Sequence, residues 1–326
     1  MGYPGSSSLP DDGIVVGRLI ANRYVIEQPC ERSATSAIYR ARHLTLDRTV
    51  LLRVLAGRGK LSRARCHDAL ILAERVASLP TPHVARTLDV GVVADRWPFV
   101  VSEYSRGKTL AVVLAQQGPL GLGRVLPIAR QLASVLVLAH SARVRHGDLA
   151  LSGVWVESPN GRPDWVRMLD FGVCELPTNE VPTSESGVFP SSFRRPEAGS
   201  AFSAEAVRWD LRAFGAALSE LALGSPVRAS SDLAAALEAK LVSRAPGYDG
   251  VARDFAKLVE RCLLPVPEVA YRGMDEVFRD LDGLAQRAEA TRTRTVSTRP
   301  PVTSVHAPAR RARIAVGGPK VIVRGT

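Results

Sequence analysis

Residues 146–156 read HGDLALSGVWV, and residues 168–173 read MLDFGV. Asp148 and Asp170 each stand on the loop that ends an apolar, β-like run, an arrangement that presents two carboxylates to one cleft. The run VWVES and the run WVRMLD, separated by a turn from Pro159 to Pro163, predict two short strands beside these loops.

Outward from that centre the chain divides into two regions of different character. On the amino-terminal side RYVIEQ, SAIYRARH, TVLLRVL, ARTLDVGVV and WPFVVSEY are short and rich in β-branched or aromatic residues, which predicts a five-stranded antiparallel meander. A single helix interrupts it, from Ser62 to Ser78, with Ala64, Ala69, Leu72 and Val76 on its apolar face and Pro80 and Pro82 ending it. After Ser105, Arg106 and Gly107 the helical period takes over. Helices are expected over 110–116, 123–140, 207–223, 231–241, 251–264 and 274–287, with no internal repeat. The expected fold is α+β and bilobal: residues 1–22 a polar leader, 23–105 a small sheet-rich lobe, 106–288 a large helical lobe, and 289–326 a Thr-, Pro- and Arg-rich tail.

The 326 residues are 46% hydrophobic, enough to bury a sizeable core. Cys30, Cys66, Cys174 and Cys262 lack C-x-x-C spacing, so neither a zinc cage nor a disulfide framework is expected, and a reducing cytoplasm is the natural setting. No apolar run is expected to span a bilayer, and the sequence MGYPGSSSLPDDG has no secretory pattern. The net charge of +11 suggests nucleic acid until it is located: eight Lys/Arg and no Asp/Glu lie from Thr291 onward, which leaves 11 − 8 = +3 for the first 290 residues. The tail reads as a solvated, disordered arm, with docking to an acidic surface as the functional alternative.

The ordered set Ile38-Tyr39-Arg40-Ala41, Arg53, Thr81-Pro82-His83-Val84, Ser102-Glu103-Tyr104, His146-Gly147-Asp148, Asp170-Phe171-Gly172, Arg195-Pro196-Glu197, Trp209-Asp210 with Phe214-Gly215, and Arg272 resembles the bacterial serine/threonine protein kinases over residues 18–287. The resemblance implies a protein-kinase-like fold, with Asp148 as the base that orients the attacking hydroxyl and Asp170 as a Mg²⁺ ligand. It also implies that several working parts are missing. The three positions of the glycine-rich hairpin hold Glu31, Ser33 and Ser36, whose side chains occupy the path of the phosphates. The strand lysine is Arg53, a wide planar fork in place of a compact ammonium. Its helix glutamate is Leu72, with Glu74 on another face and Asp68 the candidate if the register slips by a turn. The loop lysine is Ala150, and the metal-binding asparagine is Gly153, which has no ligand atom. Among the aligned nucleotide-site positions Leu51, Arg53, Glu103 and Trp155, the two that sandwich the purine in the family, Leu51 and Trp155, are much larger here, and they read as a plug. In the peptide-binding region a threonine is replaced by Pro190, and Arg194 and Arg195 replace a small or apolar pair.

The positions expected to be intact are architectural. His146 and Phe171 should stack with Val76, Asp210 should receive backbone donors from the HGD loop, and Glu197 and Arg272 should form a buried ion pair. The other histidines, His43, His67, His83, His140 and His306, are dispersed and need no ligand role. The leading expectation is a catalytically impaired pseudokinase that scaffolds or allosterically regulates a protein partner such as an active kinase, with no cofactor and no specific nucleic acid. The alternative is an active atypical serine/threonine kinase that uses Mg-ATP, Asp148, Asp170 and Arg53. A small-molecule phosphotransferase is a third reading, suggested by the H-G-D loop but disfavoured by Arg195-Pro196-Glu197 and Asp210.

Overall fold

The computed structural model describes residues 14–32, 36–55, 63–93, 97–158, 161, 163–169, 171, 202–225, 232–264 and 269–297. The small lobe is an antiparallel sheet of β1 (Leu19–Ile20), β2 (Tyr24–Arg32), β3 (Ser36–His43), β4 (Arg48–Leu55), β5 (Thr87–Val93) and β6 (Trp97–Glu103), with one helix, α1 (Arg63–Ala77), between β4 and β5. The spatial order is β1-β2-β3-β4-β6-β5.

Among the described residues six strands form where five were expected. The sixth is cut from the polar leader: Leu19 pairs with Val25 and Ile20 with Tyr24. Two consecutive residues with left-handed backbone, Ala21 (φ 49°) and Asn22 (φ 54°), reverse the chain, and the Arg23 N–H donates to the Ile20 carbonyl at 3.0 Å. Alanine is an uncommon residue for that conformation, so the turn leaves little trace in the sequence. The lobe also reaches further back than residue 23, because Ile14 and Ile20 are buried in the same apolar cluster as Tyr24, Tyr39, Leu52 and Phe99. In β2 the register shifts on both sides of Gln28 and Pro29, where proline cannot donate to the ladder.

The large lobe opens with β7 (Lys108–Thr109) and α2 (Leu110–Gln117), whose first turn is capped by the Thr109 hydroxyl accepting from the Val112 N–H at 3.2 Å. Then follow α3 (Leu122–Ser141), β8 (Val154–Glu157), β9 (Trp165–Met168), α4 (Ala204–Leu223), α5 (Leu233–Arg244), α6 (Asp249–Leu263) and α7 (Met274–Ser297). Strands β7, β8 and β9 form a second antiparallel sheet. Helix α3 is long and apolar enough, by length and composition, to cross a membrane, which corrects the expectation that no run reaches that length. In the fold it is a core helix: Val125, Ile128, Ala129, Leu132, Val135 and Leu136 are fully enclosed, and its apolar stripe meets residues of α4, α6 and α7 in one cluster.

Helix α7 runs to Ser297, into the segment expected to be an irregular tail. Local bonds carry it there: the Thr291 and Thr293 hydroxyls donate back to the Arg287 and Glu289 carbonyls, and Arg292 pairs with Glu289. The lobes are joined beside β9, where the Ala85 N–H donates to the Met168 carbonyl (2.9 Å) and the Met168 N–H to the His83 carbonyl (2.8 Å). On the far side of the cleft Arg75 of α1 donates to the Ala142 carbonyl at 2.5 Å.

Candidate functional site

The loop that follows α3 is held by one carboxylate. Asp210, on α4 and fully buried, accepts from the His146 N–H and the Gly147 N–H at 2.8 Å each, and its Oδ2 lies 2.9 Å from His140 Nε2. Burial alone would push this carboxyl up; the His140 hydrogen bond and charge, with the nearby His146 and the Gly147 N–H, outweigh it and hold Asp210 below the usual carboxylate range. Gly147 has φ 77°, a backbone that favours glycine, and its carbonyl accepts from the Trp209 indole at 3.0 Å. His140 is thus a structural partner of the loop.

His146 relays this order outward. Its Nδ1 accepts from the Asp148 N–H at 3.3 Å and its Nε2 lies 3.0 Å from the Leu169 carbonyl, a pattern that assigns the ring proton to Nε2. The Phe171 ring packs 4.5 Å from the imidazole, and Phe171 and Val76 of α1 share the large apolar cluster. Asp148 is half-buried at the end of this chain of contacts. Asp170 and Gly172 lie outside the described residues, as do Ser33, Pro190, Arg194, Arg195 and Glu197.

Three residues on, the chain makes a single 3-10 turn over Leu151–Gly153. The Gly153 N–H donates to the Ala150 carbonyl and the Gly153 carbonyl accepts from Leu169, both at 2.9 Å, so the backbone is fixed while no side-chain oxygen is offered. Arg53 on β4 is buried and reaches this turn: its Nη2 donates to the Ser152 carbonyl at 2.7 Å and its Nη1 to Ser36 Oγ at 3.3 Å. On α1, Leu72 packs toward the large-lobe core while Asp68 and Glu74 are exposed. Among the described residues no group of three or more His, Cys, Asp or Glu is placed to hold a metal.

Above the turn, Leu51 and Trp155 meet. With Ile38, Ala85 and Leu169 they form a buried apolar cluster between the lobes, and Tyr104 packs against it. Trp155 is 5% exposed, yet its indole N–H has no hydrogen-bond partner among the described residues. Glu103 is half-buried at the end of β6 and faces Arg167 of β9, Nη2 to Oε2 3.5 Å. Glu31, at the first glycine position, accepts from the Thr109 hydroxyl at 2.6 Å.

The expected buried partnership of Arg272 is corrected on its arginine side, since Arg272 is exposed with its backbone N–H donating to Glu276. Tyr271 takes the inward position instead, with its hydroxyl on Asp280 at 2.6 Å and the Arg261 guanidinium 3.9 Å over its ring. The sequence reading also passed over Thr109, Ser152 and Arg167. Thr109 carried a legible signal as the N-cap before an apolar run; Ser152 acts through its backbone carbonyl and Arg167 through cross-strand register, neither of which a motif displays.

The model of a family described as protein tyrosine and serine/threonine kinase matches residues 35–269. The chain is 36% identical over 168 residues to the serine/threonine-protein kinase pkn3 of Myxococcus xanthus, covering 51% of this chain and 30% of that protein. It is 24% identical to a probable serine/threonine-protein kinase of Clostridium acetobutylicum over 83% of this chain and 41% of that one, and 26% identical to PknL of Mycobacterium tuberculosis over 82% and 67%. The chain therefore spans less than half the length of the first two relatives. Among solved structures, the PknI kinase domain of Mycobacterium tuberculosis superposes with a TM-score of 0.57 at 19% identity, covering 84% of this chain and 99% of that one, a likeness of fold.

Proposed function

Because the chain belongs to the protein tyrosine and serine/threonine kinase family, we propose that it is a pseudokinase, a serine/threonine-kinase-like domain that acts in signalling by binding a protein partner in the cytoplasm. The observation that carries this reading is the buried cluster of Leu51, Trp155, Ile38 and Leu169 in the slot where the family places a purine. A close-packed cluster of this kind leaves no room for a flat heterocycle unless Trp155 leaves it. Further support comes from the phosphate side. Glu31 places a carboxylate on the hairpin, Arg53 is committed to Ser152 and Ser36, and Gly153 has no side-chain oxygen for a metal while its carbonyl accepts from Leu169. These residues fit Mg-ATP poorly.

A second reading, an active atypical serine/threonine kinase, is favoured by the intact frame from Asp210 through His146 to Asp148. Nucleotide binding separates the two. Thermal denaturation with and without ATP or ADP in Mg²⁺ should show no shift, and incubation with radiolabelled ATP in Mg²⁺ and Mn²⁺ should leave the protein unlabelled. A rise in melting temperature at micromolar nucleotide, together with label that disappears in Asp148→Asn and Asp170→Asn, would establish the second reading instead. Under the first reading the basic segment from Thr291 onward is the arm that docks an acidic protein surface, and its removal should weaken capture of the partner.

A further inference from the structure

Antiparallel pairing places Thr109 opposite Trp155, and Trp155 opposite Arg167, so one row of side chains crosses the sheet β7-β8-β9 on a single face. Each member of that row meets the small lobe. Thr109 donates to Glu31 at the cleft mouth, Trp155 packs with Leu51 and Ile38 in the middle, and Arg167 faces Glu103 at the hinge side. Behind the row Arg53 reaches in the opposite direction, from the small-lobe sheet to the Ser152 carbonyl.

We propose that the row Thr109-Trp155-Arg167, with Arg53, is an internal clamp that holds the two lobes closed without a nucleotide. In a nucleotide-driven domain the closing contacts run through the ligand; here the positions that depart from the family's pattern, Glu31, Ser36, Arg53, Leu51 and Trp155, make contacts with one another and with the large lobe. The substitutions thus form one structure with a single effect. The contacts are graded along the row. The apolar centre excludes water, the Glu31 to Thr109 bond is charge-assisted and short at 2.6 Å, and the Arg167 to Glu103 pair, at 3.5 Å and about a quarter exposed on both sides, orients more than it binds. The partner proposed above would then meet a fixed surface composed of both lobes.

The inference builds on the reading that side chains occupy the purine slot, and hydrogen exchange can separate the two. Amide exchange is followed by mass spectrometry in nucleotide-free protein, with and without Mg-ADP, for the wild type, Glu31→Ala, Thr109→Val and Thr109→Ser, with α6 peptides as the folding control. Glu31→Ala should speed exchange about tenfold on both sides of the cleft at once, in β2 and β3 and across β7 to α2. Thr109→Val, which also removes the α2 cap, should reproduce the rise in β2 and β3, and Thr109→Ser, which keeps the hydroxyl, should not. If Glu31→Ala leaves β7 and α2 at the wild-type rate while α6 is unchanged, the clamp is overturned, whatever Mg-ADP does. If the variants loosen the cleft and Mg-ADP protects the wild type, the clamp stands and the nucleotide-free reading falls.

Discussion

Replacing Trp155 tests whether the cleft is held by an apolar plug. An enclosed tryptophan withdraws about 150 to 250 Å² from water, worth about 4 to 6 kcal/mol at about 25 cal/mol per Å², and Trp→Ala substitutions in cores cost about 3 to 5 kcal/mol. Against this stands the indole N–H, buried without a partner among the described residues, which costs the native state about 1 to 3 kcal/mol. Trp155→Ala removes both and should destabilise by about 3 kcal/mol. Trp155→Phe keeps a ring between Leu51 and Ile38 and removes only the unsatisfied donor with part of the apolar area, so it should fall within about 1 kcal/mol of the wild type. Urea denaturation followed by circular dichroism reads both values from the shift in midpoint at constant slope. Equal losses for the two variants would refute the reasoning, because they would mean that the indole N–H is satisfied and stabilising. A cost below about 1 kcal/mol for Trp155→Ala would mean that the cluster is not well packed.

Three further outcomes follow from the same geometry. Asp210→Asn puts an NH₂ group against donors that now point at a carboxylate, and should cost about 3 kcal/mol in thermal or chemical unfolding. Since the folded-state pKa of Asp210 is held below its ordinary value, its contribution is complete above about pH 4 and is lost as pH falls further through the folded value; the acid limb of a stability profile should flatten in the variant. Arg53→Met removes the donor to the Ser152 carbonyl and the bond to Ser36 Oγ, which should lower stability by about 1 to 3 kcal/mol without creating nucleotide binding, as read by melting with and without Mg-ADP. Gly215→Ala would bring a methyl to 2.7 Å from Cys262 Cβ, where α4 and α6 touch, and should cost about 1 to 3 kcal/mol in the same unfolding assay, with little effect from a Gly123→Ala control at an open position.

Much of the fold was legible because its signals are local. The β-branched and aromatic richness of SAIYRARH and TVLLRVL and the helical period of 123–140 depend on neighbours a few residues apart, and the observed β3, β4 and α3 lie within two residues of those bounds. The first strand was missed because two residues pair across a turn whose alanine gives no hint of a left-handed backbone. The end of α7 was missed because its helix is sustained by back-bonded threonines, residues that argue against a helix by propensity. In the site, the motif placed His146, Asp148 and Asp210, since a fixed loop needs a fixed donor and acceptor count. It gave no view of Arg272 turning outward, because only the packing of Tyr271 under Arg261 decides which of two adjacent residues faces the core.

Sequence by itself determined the family frame, the order of the two lobes and the identity of the side chains that stand along the cleft. What those side chains touch was decided by tertiary structure. Thr109, Trp155 and Arg167 are far apart in the chain and share a face only because two strand pairings bring them into one row. Residue types report what a position can bond; the register of a sheet determines what stands opposite it.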